Sequence, residues 1–251
     1  MNYWSTVMRA IKDADVVLFV LDARMPELSR NKDLEAKLKA SEKEVLLVMN
    51  KSDLVSQKKL SELEKRYPDA FFVSSSEKRG IGRLRFELQK LTKKLKVGKL
   101  EVGIVGYPNV GKSALTNILS RASKSKVSPK AGTTTGLQWA SSTNFKILDS
   151  PGVIPSDDDE VKLGILGAKN PEKLRNLEKV ALEIIKIFLE NECSDLEKLY
   201  GFTIDEGEEE YEILIKIGET KKLLKKKGFV DEARTALMIV RDWQKGKLRI
   251  G

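Results

Sequence analysis

The sequence contains no histidine and only one cysteine, Cys193, among its 251 residues. The lack of histidine excludes a Ser-His-Asp triad, a Cys-His pair and an imidazole metal ligand. A single cysteine excludes an internal disulfide framework and a cysteine-rich zinc or iron–sulfur site. No apolar run approaches the roughly 18 residues that span a membrane. Since 41% of the residues are hydrophobic, we predict a globular chain. We also predict a cytoplasmic location, no membrane partner and a monomer.

Positive charge is in excess and unevenly distributed. Lys and Arg number 46 against 37 Asp and Glu, and the net charge is +9. Residues 1–159 hold 28 basic and 19 acidic residues, whereas residues 160–251 hold 18 of each. The second part nevertheless contains one basic cluster: Lys221, Lys222, Lys225, Lys226 and Lys227. Two interpretations of this cluster stay open, a solvated helix face or a contact with an RNA phosphate backbone.

The first 150 residues alternate between short apolar runs and amphipathic stretches. The apolar runs predict buried strands at 16–21, 45–49, 70–73 and 102–105, and a hairpin at 137–141 and 145–148. The amphipathic stretches predict helices at 32–39, 58–66 and 84–95. Strands that alternate with helices indicate a doubly wound α/β sheet.

The strand pattern ends at about residue 160, and helical periodicity follows. Asn170-Pro171-Glu172 has the capping side chain, proline and acidic residue of a helix start. Asp231 is expected to cap the last helix. The apolar stripe of that helix is predicted to be Ala233, Leu237, Val240 and Trp243. The sequence thus predicts an α/β domain over residues 1–158 and an all-α domain over residues 159–251.

A phosphate-binding loop is predicted from Gly106 to Ser113, which fit the pattern G-x-x-x-x-G-K-[ST] between a strand and a helix. Its backbone N–H groups and the helix N-terminus suit a phosphate. Lys112 is expected to reach the β- and γ-phosphate oxygens, and Ser113 to ligate Mg²⁺. The other nucleotide contacts predicted here come from Asn109, Val110, Gly111 and Ala114. ATP and GTP proteins share this loop, so it does not identify the base.

Two further segments are expected to meet the γ-phosphate. In Asp149-Ser-Pro-Gly152, at a strand end, Asp149 is placed to hold Mg²⁺ through water and the Gly152 N–H to meet the γ-phosphate. The segment 132–135 reads Gly-Thr-Thr-Thr, and Thr134 is predicted to close over Mg²⁺ and release after hydrolysis. Thr135 is the alternative for this role.

A base-binding loop is predicted where Asn50-Lys51-Ser52-Asp53 follows an apolar strand. The Asp53 carboxylate can accept two hydrogen bonds from the ring N–H and amino group of guanine, whereas adenine offers no such pair. Lys51 can lay its stem over the purine face, and Asn50 can tie this loop to the phosphate site. These residues favour GTP and GDP as ligands.

The next strand ends in Ser74-Ser75-Ser76, which we expect to complete the base site. A backbone N–H of this turn, that of Ser75, is predicted to donate to the guanine carbonyl.

The segments NKSD, SSS, GYPNVGKS, GTTT and DSPG resemble the five boxes of a translation-factor-type GTPase. The base-reading boxes come first, which is the order of circularly permuted GTPases. The chain most resembles the YlqF/RbgA family, with which it shares the run AGTTTGLQW and a C-terminal helical domain. The resemblance implies a P-loop NTPase fold, GTP hydrolysis that is slow without a stimulating partner, and assembly of the large ribosomal subunit through its RNA. Residues 90–99 are expected to join the ends that the permutation connects.

The resemblance also bears on hydrolysis. Many relatives place a glutamine just after Asp-x-x-Gly, where this chain has Val153 and Ile154, and bacterial members carry a histidine that is absent here. Asn109 is similar to the asparagine of Pro-Asn GTPases such as MnmE, which implies K⁺ as a further cofactor. The alternative is that Asn109 only shapes the loop. The predicted catalytic residues are Lys112, Asn109, Thr134 and Gly152.

Two alternative functions stay open from the sequence. One is a GTP-dependent RNA-binding module with negligible turnover, and the other is a GTPase that acts on other RNA.

Overall fold

The computed structural model describes residues 3–120, 138–141, 144–155 and 157–251. The chain forms two compact units. The first comprises Met1–Asp53 with Leu63–Ser156, and the second comprises Leu54–Glu62 with Asp157–Gly251. The segment Leu54–Glu62 therefore groups with the C-terminal residues, although the sequence pattern had assigned it to the first domain.

Six strands of the described residues form one sheet in the order β3-β2-β1-β4-β6-β5. They are β1 Val16–Asp22, β2 Glu44–Asn50, β3 Phe71–Phe72, β4 Leu100–Gly106, β5 Gln138–Ser141 and β6 Phe145–Asp149. All neighbours pair in parallel except β5, which pairs antiparallel with β6 at the edge. Every residue of β1 is buried, as expected for a strand at the centre of a parallel sheet. The predicted α/β fold class is confirmed.

Six helices accompany the sheet in the chain: α1 Tyr3–Asp13, α2 Pro26–Ser29, α3 Lys32–Ala40, α4 Gln57–Arg66, α5 Ile81–Leu95 and α6 Lys112–Ser120. Helix α3 is capped by the buried Asn31, whose Oδ1 accepts from Leu34 N–H at 2.9 Å. The sequence pattern had not predicted α1. Helix α5 covers the predicted helix at 84–95 and continues into the segment 90–99, which is expected to join the ends that the permutation connects.

The second unit contains the helices α7 Glu160–Ile165, α8 Leu177–Glu190, α9 Asp195–Tyr200, α10 Glu210–Thr220 and α11 Glu232–Gln244. Its core centres on the fully buried Trp243. The indole Nε1 donates to Ile165 O at 2.7 Å, and the ring meets Phe188 edge-on at 5.9 Å between centroids. The indole therefore has both the apolar packing and the hydrogen bond that a buried tryptophan needs.

The predicted helix start at Asn170 is wrong. Asn170 caps only a single 3₁₀ turn, Pro171–Lys173, and α8 begins at Leu177. The backbone is extended at Leu174. Beyond it, the Glu160 carboxylate accepts from the N–H groups of Arg175 and Asn176, each at 3.1 Å. The same cap signature suits a tight turn and a helix, and here it caps the turn.

The cap predicted for α11 is present, but the predicted stripe is partly wrong. Asp231 Oδ1 accepts from Arg234 N–H at 3.2 Å. Ala233 is exposed. The buried apolar face consists of Ala236, Ile239, Val240 and Trp243, which is a shift of the contact face around the helix by about one position. Within the described ranges, no helix is both long and apolar enough to cross a membrane.

Candidate functional site

Polar residues collect at the carboxyl edge of the sheet. In a parallel sheet the strand ends point to one edge, where ligands of α/β proteins bind. Strands β1, β2 and β6 end in Asp22, Asn50 and Asp149, and Ser74 follows β3. All four are at most 3% exposed. Buried polar groups concentrated at one edge mark it as the candidate site.

The loop between β4 and α6 wraps around its own lysine. Lys112 Nζ donates to Tyr107 O at 2.8 Å and to Gly106 O at 3.2 Å. Burial lowers the pKa of Lys112 to about 8, and the negative charge of Asp149 only partly offsets that effect. Gly111 has φ +96°, and a Cβ there would lie 2.1 Å from Asn50 Nδ2. Lys112 thus lies inside a loop whose closed conformation requires glycine at position 111.

The outer positions of this loop are accessible. Asn109 is exposed and has φ +60°, whereas the Val110 side chain is buried. Ser113 and Ala114 are exposed in the first turn of α6. The hydroxyl predicted to bind a metal and the backbone predicted to bind phosphate therefore belong to accessible residues.

Asn50 joins three loops. Its Nδ2 donates to Val110 O at 2.8 Å, and its Oδ1 accepts from Ser75 N–H at 3.1 Å and Ser75 Oγ at 3.0 Å. The contact between the two predicted loops is thus made by one buried amide. Ser75 N–H, the predicted donor to the guanine carbonyl, is hydrogen-bonded to Asn50 Oδ1 in this structure.

Asp53 presents a carboxylate oxygen that the protein does not satisfy. Its Oδ2 accepts from Ser76 Oγ at 2.8 Å, and that hydroxyl lies 3.0 Å from Ser74 Oγ. Its Oδ1 is buried and has no hydrogen-bond partner among the residues that the structure describes. A buried acceptor left unpaired is costly. The geometry fits a ligand that brings an N–H donor to Asp53.

A cluster that no motif indicated lies at the end of β1. Asp22 is 2% exposed and accepts from Arg24 Nη2 and from Lys51 Nζ, each at 2.8 Å. Burial opposes ionisation of Asp22, but the charges of Arg24 and Lys51 outweigh it and hold the carboxyl pKa well below its usual range. The sequence motifs did not predict Asp22 and Arg24 as site residues. Two charged residues at the end of an otherwise apolar stretch could have indicated them.

The segment after β6 lies against the phosphate loop. A Cβ at Gly152 would lie 2.6 Å from Pro108 N, so the two backbones are in close contact. Val153 is 1% exposed, and its carbonyl accepts from Asn31 Nδ2 at 3.2 Å. Ile154 is more exposed. Thr134, with its alternative Thr135, lies outside the described residues.

Comparison with known proteins places this geometry in a family. Residues 101–227 match the family described as "50S ribosome-binding GTPase". A GTP-binding protein of Methanocaldococcus jannaschii is 39% identical over 96% of this chain and 65% of its own length. Nucleolar GTP-binding protein 2 of Pneumocystis carinii is 33% identical over 98% of this chain and 52% of its own length. The chain thus spans about half to two thirds of these relatives.

Solved structures of YlqF from T. maritima share the fold. The GDP-bound structure has a TM-score of 0.62 and 25% identity, with 95% of this chain and 93% of that chain covered. The GNP-bound structure has a TM-score of 0.58 over the same shares. The chain belongs to the 50S ribosome-binding GTPase family. The predicted resemblance to YlqF, a circularly permuted GTPase, is confirmed.

Proposed function

We propose that this chain binds and hydrolyses GTP in the cytoplasm and uses the nucleotide state to switch its affinity for the large ribosomal subunit and its RNA. The observation that supports the proposal is the side chain of Asn50, which joins the predicted base site to the predicted phosphate site. Asn50 binds both the serine turn and the phosphate loop, with Nδ2 2.8 Å from Val110 O. A base held at Asp53 and phosphates held at Lys112 therefore belong to one ligand.

The base site suits guanine. Its ring N–H and amino group supply the donor that Asp53 Oδ1 lacks, and adenine has no such pair. The Lys51 stem covers the purine face. The N–H of Ser75 is the proposed donor to the guanine carbonyl, and it would exchange or share its present contact with Asn50 Oδ1.

The phosphate site suits a triphosphate with Mg²⁺. Lys112 would exchange its two carbonyl partners for phosphate oxygens, and the N–H groups of Gly111 to Ala114 would surround the β-phosphate. Ser113 and Asp149, the latter through water, are the proposed Mg²⁺ ligands, with Thr134 joining them. Bound Mg²⁺ would neutralise phosphate charge. The N–H of Gly152, whose backbone is in close contact with Pro108, is the proposed donor to the γ-phosphate.

Hydrolysis needs a cation and an oriented water. The buried Val153 cannot position water with its side chain, and the chain has no histidine. Asn109, on the exposed rim of the loop with φ +60°, is the proposed K⁺ ligand, where the ion would stabilise charge in the transition state. We expect slow turnover without a partner because the position after Gly152 holds Val153 and the sequence has no histidine to orient water.

The potassium proposal predicts a rate that depends on the monovalent ion. Replacing KCl with NaCl at fixed ionic strength is expected to lower steady-state GTP hydrolysis by about a hundredfold, the lower end of the effect of losing one charge-stabilising group. Asn109→Ala should be slow in both salts. Leu95→Ala, at an exposed position away from the loop, serves as the control and should keep the wild-type ion dependence. Equal wild-type rates in the two salts would reject K⁺ as a cofactor.

The RNA surface is proposed on the C-terminal domain, residues 159–251. The lysine cluster lies in a turn between α10 and α11 that is held by backbone bonds, including Lys225 N–H to Phe229 O at 2.8 Å. Phe229 is 71% exposed beside these lysines. A fixed turn with clustered positive charge and one exposed ring suits the phosphates and an unstacked base of RNA.

This surface predicts a change in the salt dependence of RNA binding. Lys225, Lys226 and Lys227 replaced by Gln are expected to reduce the slope of log K against log[salt] by about 2, at roughly 0.7–0.9 per lost phosphate contact. The matched control replaces three exposed lysines of the same domain: Lys173, Lys179 and Lys186. Filter binding to ribosomal RNA fragments at several salt concentrations measures both. An unchanged slope in the first variant would place the RNA elsewhere.

A GTP-dependent RNA-binding module with negligible turnover is the second candidate. The burial of Val153 favours it, because no side chain at that position can direct water. A GTPase acting on other RNA shares every site described above. GTP hydrolysis rates measured with large and with small ribosomal subunits separate all three candidates.

A further inference from the structure

The cluster of Asp22, Arg24 and Lys51 lies at the end of β1 beside the base-binding loop. Arg24 holds the carboxylate from three donors, with Nη2 at 2.8 Å, Nε at 3.1 Å and its backbone N–H at 3.0 Å. Lys51 Nζ donates to Asp22 Oδ2 at 2.8 Å. Both side chains of the Asp22–Arg24 pair are 2% exposed, whereas that of Lys51 is 21% exposed.

The burial of this cluster calls for a reason other than stability. A buried ion pair seldom stabilises a fold more than apolar residues of the same size. Lys51 also has φ +63°, a backbone conformation that is uncommon for lysine. Its side chain has many rotamers in solution. Here the Asp22 carboxylate fixes the Nζ end of the Lys51 side chain, and the backbone fixes its Cα end. The aliphatic stem between them is therefore held in place.

We propose that Asp22 and Arg24 are positioning residues that hold the Lys51 stem where it covers the purine face of the bound nucleotide. The inference rests on the proposed function, since it presumes a guanine held at Asp53. Arg24 orients the carboxylate by a two-point contact and leaves Oδ2 shared with Lys51. The charges of Arg24 and Lys51 keep the pKa of Asp22 low against the effect of burial, so the anchor stays ionised.

The test is a double-mutant cycle on GDP affinity. Lys51→Met removes the anchored cation. Asp22→Asn combined with Arg24→Met removes the anchor without leaving a buried guanidinium unpaired. Each is expected to weaken GDP binding by about tenfold, close to the loss of one charge-assisted contact. The variant with all three changes should bind no more weakly than either parent, because both act through the same stem.

Several readouts separate positioning from a merely structural role. The ratio of GTP to GDP affinity should stay unchanged, since the phosphates are untouched. Losses that multiply in the triple variant, or unchanged GDP affinity in the paired variant, would overturn the proposal. Asp15→Asn is the matched control, because Asp15 Oδ2 accepts from Glu101 N–H at the opposite end of β1, and its GDP affinity should equal that of wild type.

The Lys51→Arg variant and nucleotide binding by wild type provide two further tests. If the paired variant does not fold, Lys51→Arg replaces it, since a guanidinium can still reach Asp22. Affinity near that of wild type in Lys51→Arg, set against the loss in Lys51→Met, supports the proposal, and equal losses reject it. If wild type itself binds neither GDP nor GTP, the proposed function fails. If wild type binds and the paired variant binds equally well, only this inference fails.

Discussion

Asp53→Asn is expected to change the base preference from guanine to xanthine. The carboxylate of Asp53 has one oxygen bonded to Ser76 Oγ and one buried oxygen without a partner among the described residues. Guanine presents two donors to that carboxylate. An asparagine offers one acceptor and one donor, which match the ring N–H and the carbonyl that xanthine carries in place of the amino group.

The expected effect is large because a site built for a hydrogen-bond pattern rejects the mismatched pattern strongly. We expect GTP affinity to fall by about a hundredfold or more, and the ratio of XTP to GTP affinity to rise by about a thousandfold. Competition of each nucleotide against a fluorescent GDP measures both quantities. Asp69→Asn, at an exposed position, should leave them unchanged. Retention of wild-type GTP affinity in Asp53→Asn would show that Asp53 does not bind the base.

Lys112→Met is expected to abolish hydrolysis at physiological GTP concentrations. The lysine is 6% exposed and lies inside the phosphate loop, so no neighbouring cation can take its place. The loss of a preorganised positive charge that contacts transferring phosphates is worth about a hundred- to a thousandfold in rate. Single-turnover hydrolysis and GTP affinity measure the effect. Lys93→Met, on the exposed side of α5, is the control.

Lys112→Met is expected to increase the stability of the nucleotide-free protein, although it abolishes hydrolysis. Burial lowers the pKa of Lys112 from 10.5 to about 8, so the unfolded chain binds this proton more tightly. Below pH 8 the buried ammonium therefore destabilises the fold, by about 3 kcal/mol from the size of the shift. Lys112→Met should then be the more stable protein at pH 7, and the difference should shrink between pH 8 and 10.5. Urea unfolding at pH 7 and pH 10 tests the sign.

Motifs with strict spacing allowed the phosphate and base loops to be located from sequence. Gly111 is required by a backbone with positive φ and by the close approach of Asn50, and such constraints leave few acceptable residues. The strands were predictable for a related reason. A strand buried on both faces must be a continuous apolar run, as Val16–Asp22 is up to its last residue.

Other parts of the site depend on contacts between distant segments and leave no local pattern. Asn31 caps α3 and also holds Val153 O, a partner 122 residues away. Arg24 and Lys51 meet on Asp22, and nothing in their own segments predicts that meeting. Ser75 N–H, the predicted donor to the base, meets Asn50 Oδ1, a partner 25 residues away. In the second unit, the Glu160 carboxylate accepts from Arg175 N–H, 15 residues later and just before α8 begins.

We expect the large ribosomal subunit to stimulate GTP hydrolysis by this chain. GTP hydrolysis by the purified chain should be measured alone, with large subunits, and with small subunits of the same organism as the control, all in KCl. We predict slow hydrolysis alone, a rise of about tenfold or more with large subunits, and no rise with small subunits, since one added transition-state contact is worth that much. Tight GTP binding with no hydrolysis under any condition would instead support the binding module. An equal rise with both subunits would contradict the proposed partner.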